Sequence, residues 1–128
     1  MSFQKNLRTA SAAVLALAVL GAGFALAAPA APAKGDAVKG KAMFSTKCIA
    51  CHKPDGSGGV KLTGNPTPNW KDPKTWADPK RKNMDAYLRD CITNGKTASG
   101  MVAWGKTGQI KAPDIENLIA YIHVLAKK

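Results

Sequence analysis

A shortage of large apolar side chains limits what this chain can fold into. The sequence has 128 residues and is 45% apolar, but 18 of its apolar residues lie in the first 27 positions. Fourteen of the 40 that remain are Ala, which leaves 26 larger side chains for a core. A domain of this size buries barely enough surface to fold unaided. We therefore expect one small domain, supplemented by a disulfide, a metal or a cofactor.

Residues 1–27 have the pattern of a cleavable export signal. Lys5 and Arg8 give a positive start, residues 10–27 are apolar and uncharged, and Ala25-Leu26-Ala27 supplies a small-x-small cleavage site. The alternative is an uncleaved membrane anchor, because an uncharged run of about 18 residues is long enough to span a bilayer. Residues 28–34 then predict an Ala/Pro linker, and residues 35–128 the folded domain, which we expect in a bacterial periplasm.

Helix signals divide the domain, and no segment alternates like a strand. The predicted helix ends are marked by Asp36, by Asp72-Pro73, by Asn83 with Gly95, and by Pro113. The last helix carries one apolar stripe that must be buried, made of Ile115, Leu118, Ile119, Ile122 and Leu125. The sequence thus predicts an all-α fold with long loops.

The most informative motif is Cys48-Ile49-Ala50-Cys51-His52. Two thiols two residues apart can add to the two vinyl groups of a haem, and the adjacent imidazole can then bind its iron. Such a covalent group replaces the missing core. The motif predicts one haem c attached through Cys48 and Cys51, with His52 as an axial ligand.

Two other chemistries use the same residue types. Cys48, Cys51 and Cys91 could form a zinc site with His52 or His123, although the motif has no second close Cys pair. A thioredoxin-like redox pair is the other alternative, but no strand-helix-strand pattern flanks the motif.

The chain resembles the class I monohaem c-type cytochromes over residues 35–128. That family places a Gly and an aromatic residue four apart on its first helix and an aromatic residue on its last; Gly40, Phe44 and Tyr121 occupy these places. The resemblance implies three to five helices wrapped around one covalent haem. Gly40 then allows the two terminal helices to cross closely.

The family's sixth iron ligand is a Met in a late loop. The stretch from Gly100 to Gly105 is similar to the family's Met-Pro-x-aromatic loop, with Val102 in place of Pro, and so implies Met101 as the ligand. Met43 and Met84 are less suitable because they lie on or at the start of predicted helices.

Two other residues compete for that ligand position. His123 would give a bis-His haem, and Cys91 would bind as a thiolate. The ordinary interpretation makes His123 a surface residue and Cys91 a small, half-buried apolar side chain.

The resemblance also implies contacts around the cofactor. The family's axial His donates to a Pro carbonyl, and Val60 stands in that position here. Trp70 and Trp76 are candidates to donate indole N–H groups to the haem propionates, or to pack against the haem edge.

Ligation by His52 and Met101 leaves iron no open site, which disfavours catalysis and oxygen binding. The sequence therefore predicts a monomeric one-electron carrier rather than an enzyme. The alternative is a haem c subunit of a periplasmic oxidoreductase complex, acting in sulfur or alcohol oxidation.

The charge balance suggests the partners. The formal net charge is +11, and removing Lys5 and Arg8 leaves 17 basic and 8 acidic residues. This charge predicts transient docking to acidic redox proteins, whereas export excludes nucleic acid. The lysines expected to rim the haem edge are Lys53, Lys61, Lys96, Lys106 and Lys111. Residues 71–82 are a second basic stretch, either part of that docking face or a solvated insertion.

Overall fold

The computed structural model describes residues 34–127, which form helices joined by long loops. The helices are α1 Ala37–Lys47, α2 Ile49–His52, α3 Pro73–Trp76, α4 Met84–Asn94 and α5 Ala112–Ala126, with 3₁₀ turns at Pro79–Arg81 and Thr97–Ser99. Within this range the sole β feature is an isolated bridge between Lys96 and Met101, so the all-α prediction is confirmed. The predicted export signal and all but the last residue of the predicted linker lie outside the described residues.

Capping side chains set the helix ends where the sequence predicts them. The Asp36 carboxylate accepts from the N–H of Val38 at 2.9 Å, and the Asn83 side chain accepts from the N–H of Ala86 at 3.0 Å. Each bond satisfies a donor that has no partner inside its helix. Gly95 ends α4 with φ of 71°, a conformation in the region that favours glycine.

The close crossing of α1 and α5 builds the core. A Cβ at Gly40 would overlap the Asn117 carbonyl and lie 3.0 Å from the Tyr121 Cβ. Phe44 is 1% exposed and meets the Tyr121 ring edge-on at 5.3 Å. The predicted stripe of α5 is buried throughout. The roles that the family resemblance implies for Gly40, Phe44 and Tyr121 are confirmed.

The remaining elements pack around this pair. Leu88 and Ile92 of α4 are buried in the same core, while Arg89 on its outer side donates to the Glu116 carboxylate at 2.5 and 2.8 Å. Residues 53–72 form a long loop that closes on itself, because the Trp70 N–H donates to the Gly56 carbonyl at 3.0 Å. Among residues 34–127 there is no helix with the length and apolarity that crossing a membrane requires.

Candidate functional site

A cavity of about 810 Å³ lies among the helices and loops, within the size range of small-molecule sites. The four residues that the sequence analysis assigns to the cofactor all line it: Cys48, Cys51, His52 and Met101. Its apolar lining comes mainly from the core, through Phe44, Trp70, Leu88, Ile92, Leu118 and Ile122. The fold therefore brings Met101 to the same cavity as residues about fifty positions earlier in the chain.

The first group belongs to the attachment segment, which we define as residues 37–52. α2 continues almost directly from α1, because the Cys48 N–H donates to the Phe44 carbonyl at 3.0 Å and the His52 N–H donates to the Cys48 carbonyl at 2.9 Å. Both cysteines are free and partly buried. Burial raises the pKa of the Cys48 thiol to about 11, although Lys47 opposes the shift. Cys48 is therefore a protonated thiol at neutral pH.

His52 is half-buried beside an aromatic ring. Desolvation lowers the pKa of its imidazole to about 4, so the ring is neutral at pH 7, which is the form that binds metals. The ring stacks on Trp70, with centroids 4.6 Å apart and planes 10° apart.

The hydrogen bond predicted between His52 and the Val60 carbonyl is absent, so that prediction is wrong for this structure. The Val60 carbonyl accepts from the Thr67 N–H at 2.9 Å, and the Val60 N–H donates to the Thr67 hydroxyl at 3.1 Å. That hydroxyl in turn donates to the Cys51 carbonyl at 2.8 Å. The loop thus pairs with itself and with the attachment segment, because Thr67 offers both a backbone donor and a hydroxyl.

Two buried polar atoms at the cavity have no hydrogen-bond partner in the part of the chain that the structure describes: His52 Nδ1 and Trp70 Nε1. Native structures rarely leave such atoms unpaired, so an unpaired buried donor points to a missing partner. A carboxylate of a bound haem would satisfy the Trp70 indole, so the bond proposed for Trp70 stays a prediction. The prediction for Trp76 is wrong, because its indole donates to the Trp70 carbonyl at 2.7 Å. The residues present therefore fit a haem.

The second group belongs to the ligand loop, which we define as residues 95–110. The N–H of Met101 donates to the Lys96 carbonyl and the N–H of Lys96 donates to the Met101 carbonyl, both at 3.1 Å. The Gly105 N–H donates to the carbonyl of Ile92 at 3.2 Å, which fastens the loop to α4. Backbone pairing therefore supplies the order that a Pro at position 102 would provide.

Met101 differs from the other methionines of the described region. Met43 and Met84 are partly buried against the core, but neither lines the cavity. Met101 is also partly buried and does line it. The choice of Met101 as a ligand stays a prediction from the family resemblance, and Met101 is the methionine of the described region that lines the cavity.

The two competing ligands differ in their access to the cavity. His123 Nε2 lies 2.6 Å from the Asp85 carboxylate, and the imidazole does not line the cavity. Cys91 does line the cavity and is 7% exposed, and burial raises the pKa of its thiol, which keeps it protonated. Across residues 34–127, no three metal-binding side chains of His, Cys, Asp or Glu converge, so the zinc arrangement is not formed.

The cations around the cavity match the predicted ones only in part. Of the five lysines expected at its rim, only Lys96 lines it; the four that do not are Lys53, Lys61, Lys106 and Lys111. Two residues of the basic stretch 71–82, Lys74 and Arg81, take part instead. Lys47 also lines the cavity, and the sequence analysis did not predict it. Its position directly before Cys48 was a signal that it lies close to the cavity. Which cations line the cavity depends on how the chain folds around it. The residue types in the sequence do not encode this.

Comparison with known proteins agrees with this geometry. Residues 35–122 match the family model described as cytochrome C oxidase, cbb3-type, subunit III. The chain is also 36% identical over 88 residues to cytochrome c6 of Rippkaea orientalis (strain PCC 8801 / RF-1), a match that covers 69% of each chain. No solved structure gives a significant match. All the residues that line the cavity fall within the stretch 35–122.

Proposed function

The chain belongs to the cytochrome c family, and from this premise we propose that it carries single electrons on one haem c held covalently by Cys48 and Cys51. When bound, the haem supplies an iron centre that gains and loses one electron. The observation that carries the proposal is the convergence of Cys48, Cys51, His52 and Met101 on one cavity of about 810 Å³.

Attachment needs free thiols, and the two cysteines are free. Each S–H adds across one vinyl C=C bond, so that sulfur bonds to one carbon and the proton goes to the other. The addition consumes no oxidant and no reductant.

We propose that His52 and Met101 are the two axial ligands. His52 contributes the lone pair of a neutral imidazole, and Met101 contributes a thioether from a loop held by the Lys96 bridge. A soft thioether ligand raises the reduction potential relative to a second imidazole. With His52 and Met101 both bound to iron, no position would remain for water, oxygen or substrates, and the protein would be restricted to electron transfer.

The decisive experiment is optical spectroscopy of protein matured in a host that attaches haem c. We expect one haem per chain that survives denaturation, and a weak far-red band in the ferric form that reports sulfur ligation. Met101→Ala should abolish the band, while Met84→Ala, the matched control, should keep it. A colourless preparation or avid binding of carbon monoxide at neutral pH would contradict the proposal as a whole. Persistence of the band in Met101→Ala would contradict only the sixth ligand.

We further propose a periplasmic location, on the export pattern of residues 1–27. The mature protein should then begin at Ala28, which N-terminal sequencing or intact mass would establish. An intact leader in the purified protein would favour the membrane-anchored alternative.

A second candidate is a haem subunit of an oxidoreductase complex. The observation that favours it is the matched family model, whose description names an oxidase subunit. Gel filtration of the native extract separates the two. A carrier should elute as a monomer, whereas a subunit should elute with its partners.

We propose that the partner of the carrier is acidic. Lys47, Lys74, Arg81 and Lys96 all line the cavity, and only Asp78 among the lining residues is acidic. Long-range attraction between exposed charges is screened over about 8 Å at physiological salt. The rate of electron exchange with an anionic reagent should therefore fall as salt rises, and a salt-independent rate would contradict the basic docking face.

A further inference from the structure

The attachment segment and the ligand loop meet at a contact that the chemistry above does not use. The Lys47 ammonium lies over the Trp104 ring, 5.3 Å from its centroid, which is within the range of a cation–π interaction. Lys47 is the last residue of α1 and directly precedes Cys48, and Trp104 follows Met101 by three residues. Both side chains line the cavity.

Hydrogen bonds do not join the attachment segment to the ligand loop. In the part of the chain that the structure describes, no hydrogen bond or ion pair joins residues 37–52 to residues 95–110. The ligand loop is fastened instead to α4 and to the loop near residue 64. Lys47 is thus the charged side chain that bridges the two walls.

Trp104 links the contact with Lys47 to the turn that follows Met101. Its carbonyl accepts from the N–H groups of Gln109 at 3.1 Å and Ile110 at 3.2 Å, and its own N–H donates to Val102 at 3.1 Å. The side chain is partly buried and packs against the core. Restraining this ring therefore restrains the turn that follows Met101.

We propose that Lys47 is a positioning residue that holds the ligand loop, and with it Met101, against the attachment segment. The inference rests on Met101 being the sixth ligand. Its consequence is that the thioether is displaced more easily when the cation is lost. Removal of Lys47 should change ligand exchange at iron more than it changes the stability of the whole domain.

The test is a titration of the ferric holoprotein with imidazole, which competes with the thioether and removes the far-red band. Lys47→Gln should bind imidazole about two- to fivefold more tightly than wild type, the effect of an exposed cation–π contact. Lys47→Arg should behave like wild type, because a guanidinium also packs on an indole. Lys41→Gln is the matched control: it removes the same charge from an exposed position of the same helix.

The outcomes separate the two proposals. Equal imidazole affinity in Lys47→Gln and Lys41→Gln, with the far-red band present in wild type, would overturn the role of Lys47 alone. Failure of Lys47→Arg to restore the wild-type affinity would also overturn it. Absence of the band from wild type would overturn Met101 ligation, and the positioning role with it.

Discussion

The two walls of the cavity are built in different ways. The attachment segment is helical, and its α1 packs on α5 through Gly40, Phe44 and Tyr121. The ligand loop is irregular and is held mainly by backbone pairs, such as the one between Lys96 and Met101. One wall thus depends on buried side chains, and the other on hydrogen bonds near the surface.

This difference predicts that the two walls open at different free-energy costs. Regular helices pack at close to crystalline density and open only with the whole domain, whereas loops open locally at lower cost. We expect the attachment segment, which carries His52, to stay in place. We expect the exchange of iron ligands to begin at the ligand loop, which carries Met101. The experiments below test this asymmetry, in order of decreasing effect.

The largest effect should come from the thiols. Cys48→Ser with Cys51→Ser should abolish covalent haem, because a hydroxyl does not replace the thiol in thioether formation. Haem staining of a denaturing gel measures this loss. Cys91→Ser is the matched control, since Cys91 lines the same cavity outside the motif, and it should retain full staining. Loss of staining in the control as well would mean that Cys91 takes part in attachment.

The next largest effect should be at the helix crossing. Gly40→Ala places a Cβ against the Asn117 carbonyl, so the two helices must separate, at a cost of roughly 2–3 kcal/mol. Denaturant unfolding of the holoprotein measures it. Lys41→Ala, on the exposed side of α1, should change the free energy of unfolding by less than about 0.5 kcal/mol. Similar values for both variants would contradict the close crossing.

A smaller effect, confined to the ligand loop, should follow from Gly95→Ala. Gly95 has φ of 71°, and an added Cβ would lie 2.7 Å from the Met101 carbonyl oxygen. Gly108 has φ of 73° with no atom within 4 Å of an added Cβ, so Gly108→Ala carries backbone strain of about 1–2 kcal/mol without the overlap. Gly95→Ala alone should therefore weaken the far-red band. Equal spectra in the two variants would show that the overlap does not reach Met101.

The smallest effect should come from Val102→Pro. Val102 is 44% exposed, and its N–H donates to no acceptor among residues 34–127. Proline also favours an extended residue before it, which suits the bridge at Met101. We expect Val102→Pro to stabilise the folded conformation of the loop by about 0.4–1 kcal/mol and to weaken imidazole binding correspondingly. Val102→Ala should not weaken it, and a tighter-binding Val102→Pro would mean that the native backbone at this position does not suit proline.

Local signals account for the parts that were predicted correctly. Asp36, Asn83 and Gly95 act on backbone groups within a few residues, so their effect is readable without the fold. The Cys48-x-x-Cys51-His52 spacing likewise carries its chemistry within five positions. The assignment of Met101 as a ligand came from the family resemblance and stays a prediction; the structure shows that Met101 lines the same cavity as His52.

The wrong predictions share a physical cause. Val60 pairs with Thr67, and the Trp76 indole donates to the Trp70 carbonyl, because the path of residues 53–76 brings those groups within reach. A hydrogen-bonding group takes the partner that the folded chain offers it. The residue types near Val60 and Trp76 do not predict which hydrogen-bond partner each of them takes.

The sequence by itself determined the helix ends and the need for a cofactor, and it is the basis of the proposed attachment at Cys48 and Cys51, because each follows from short spacing or from the supply of apolar side chains. Only the tertiary structure decided which cations line the cavity, that His123 pairs with Asp85, and that Lys47 lies over Trp104. These contacts join residues that are 38 or more positions apart. Their formation depends on how helices and loops pack, and a few ångströms of displacement would give each side chain a different neighbour.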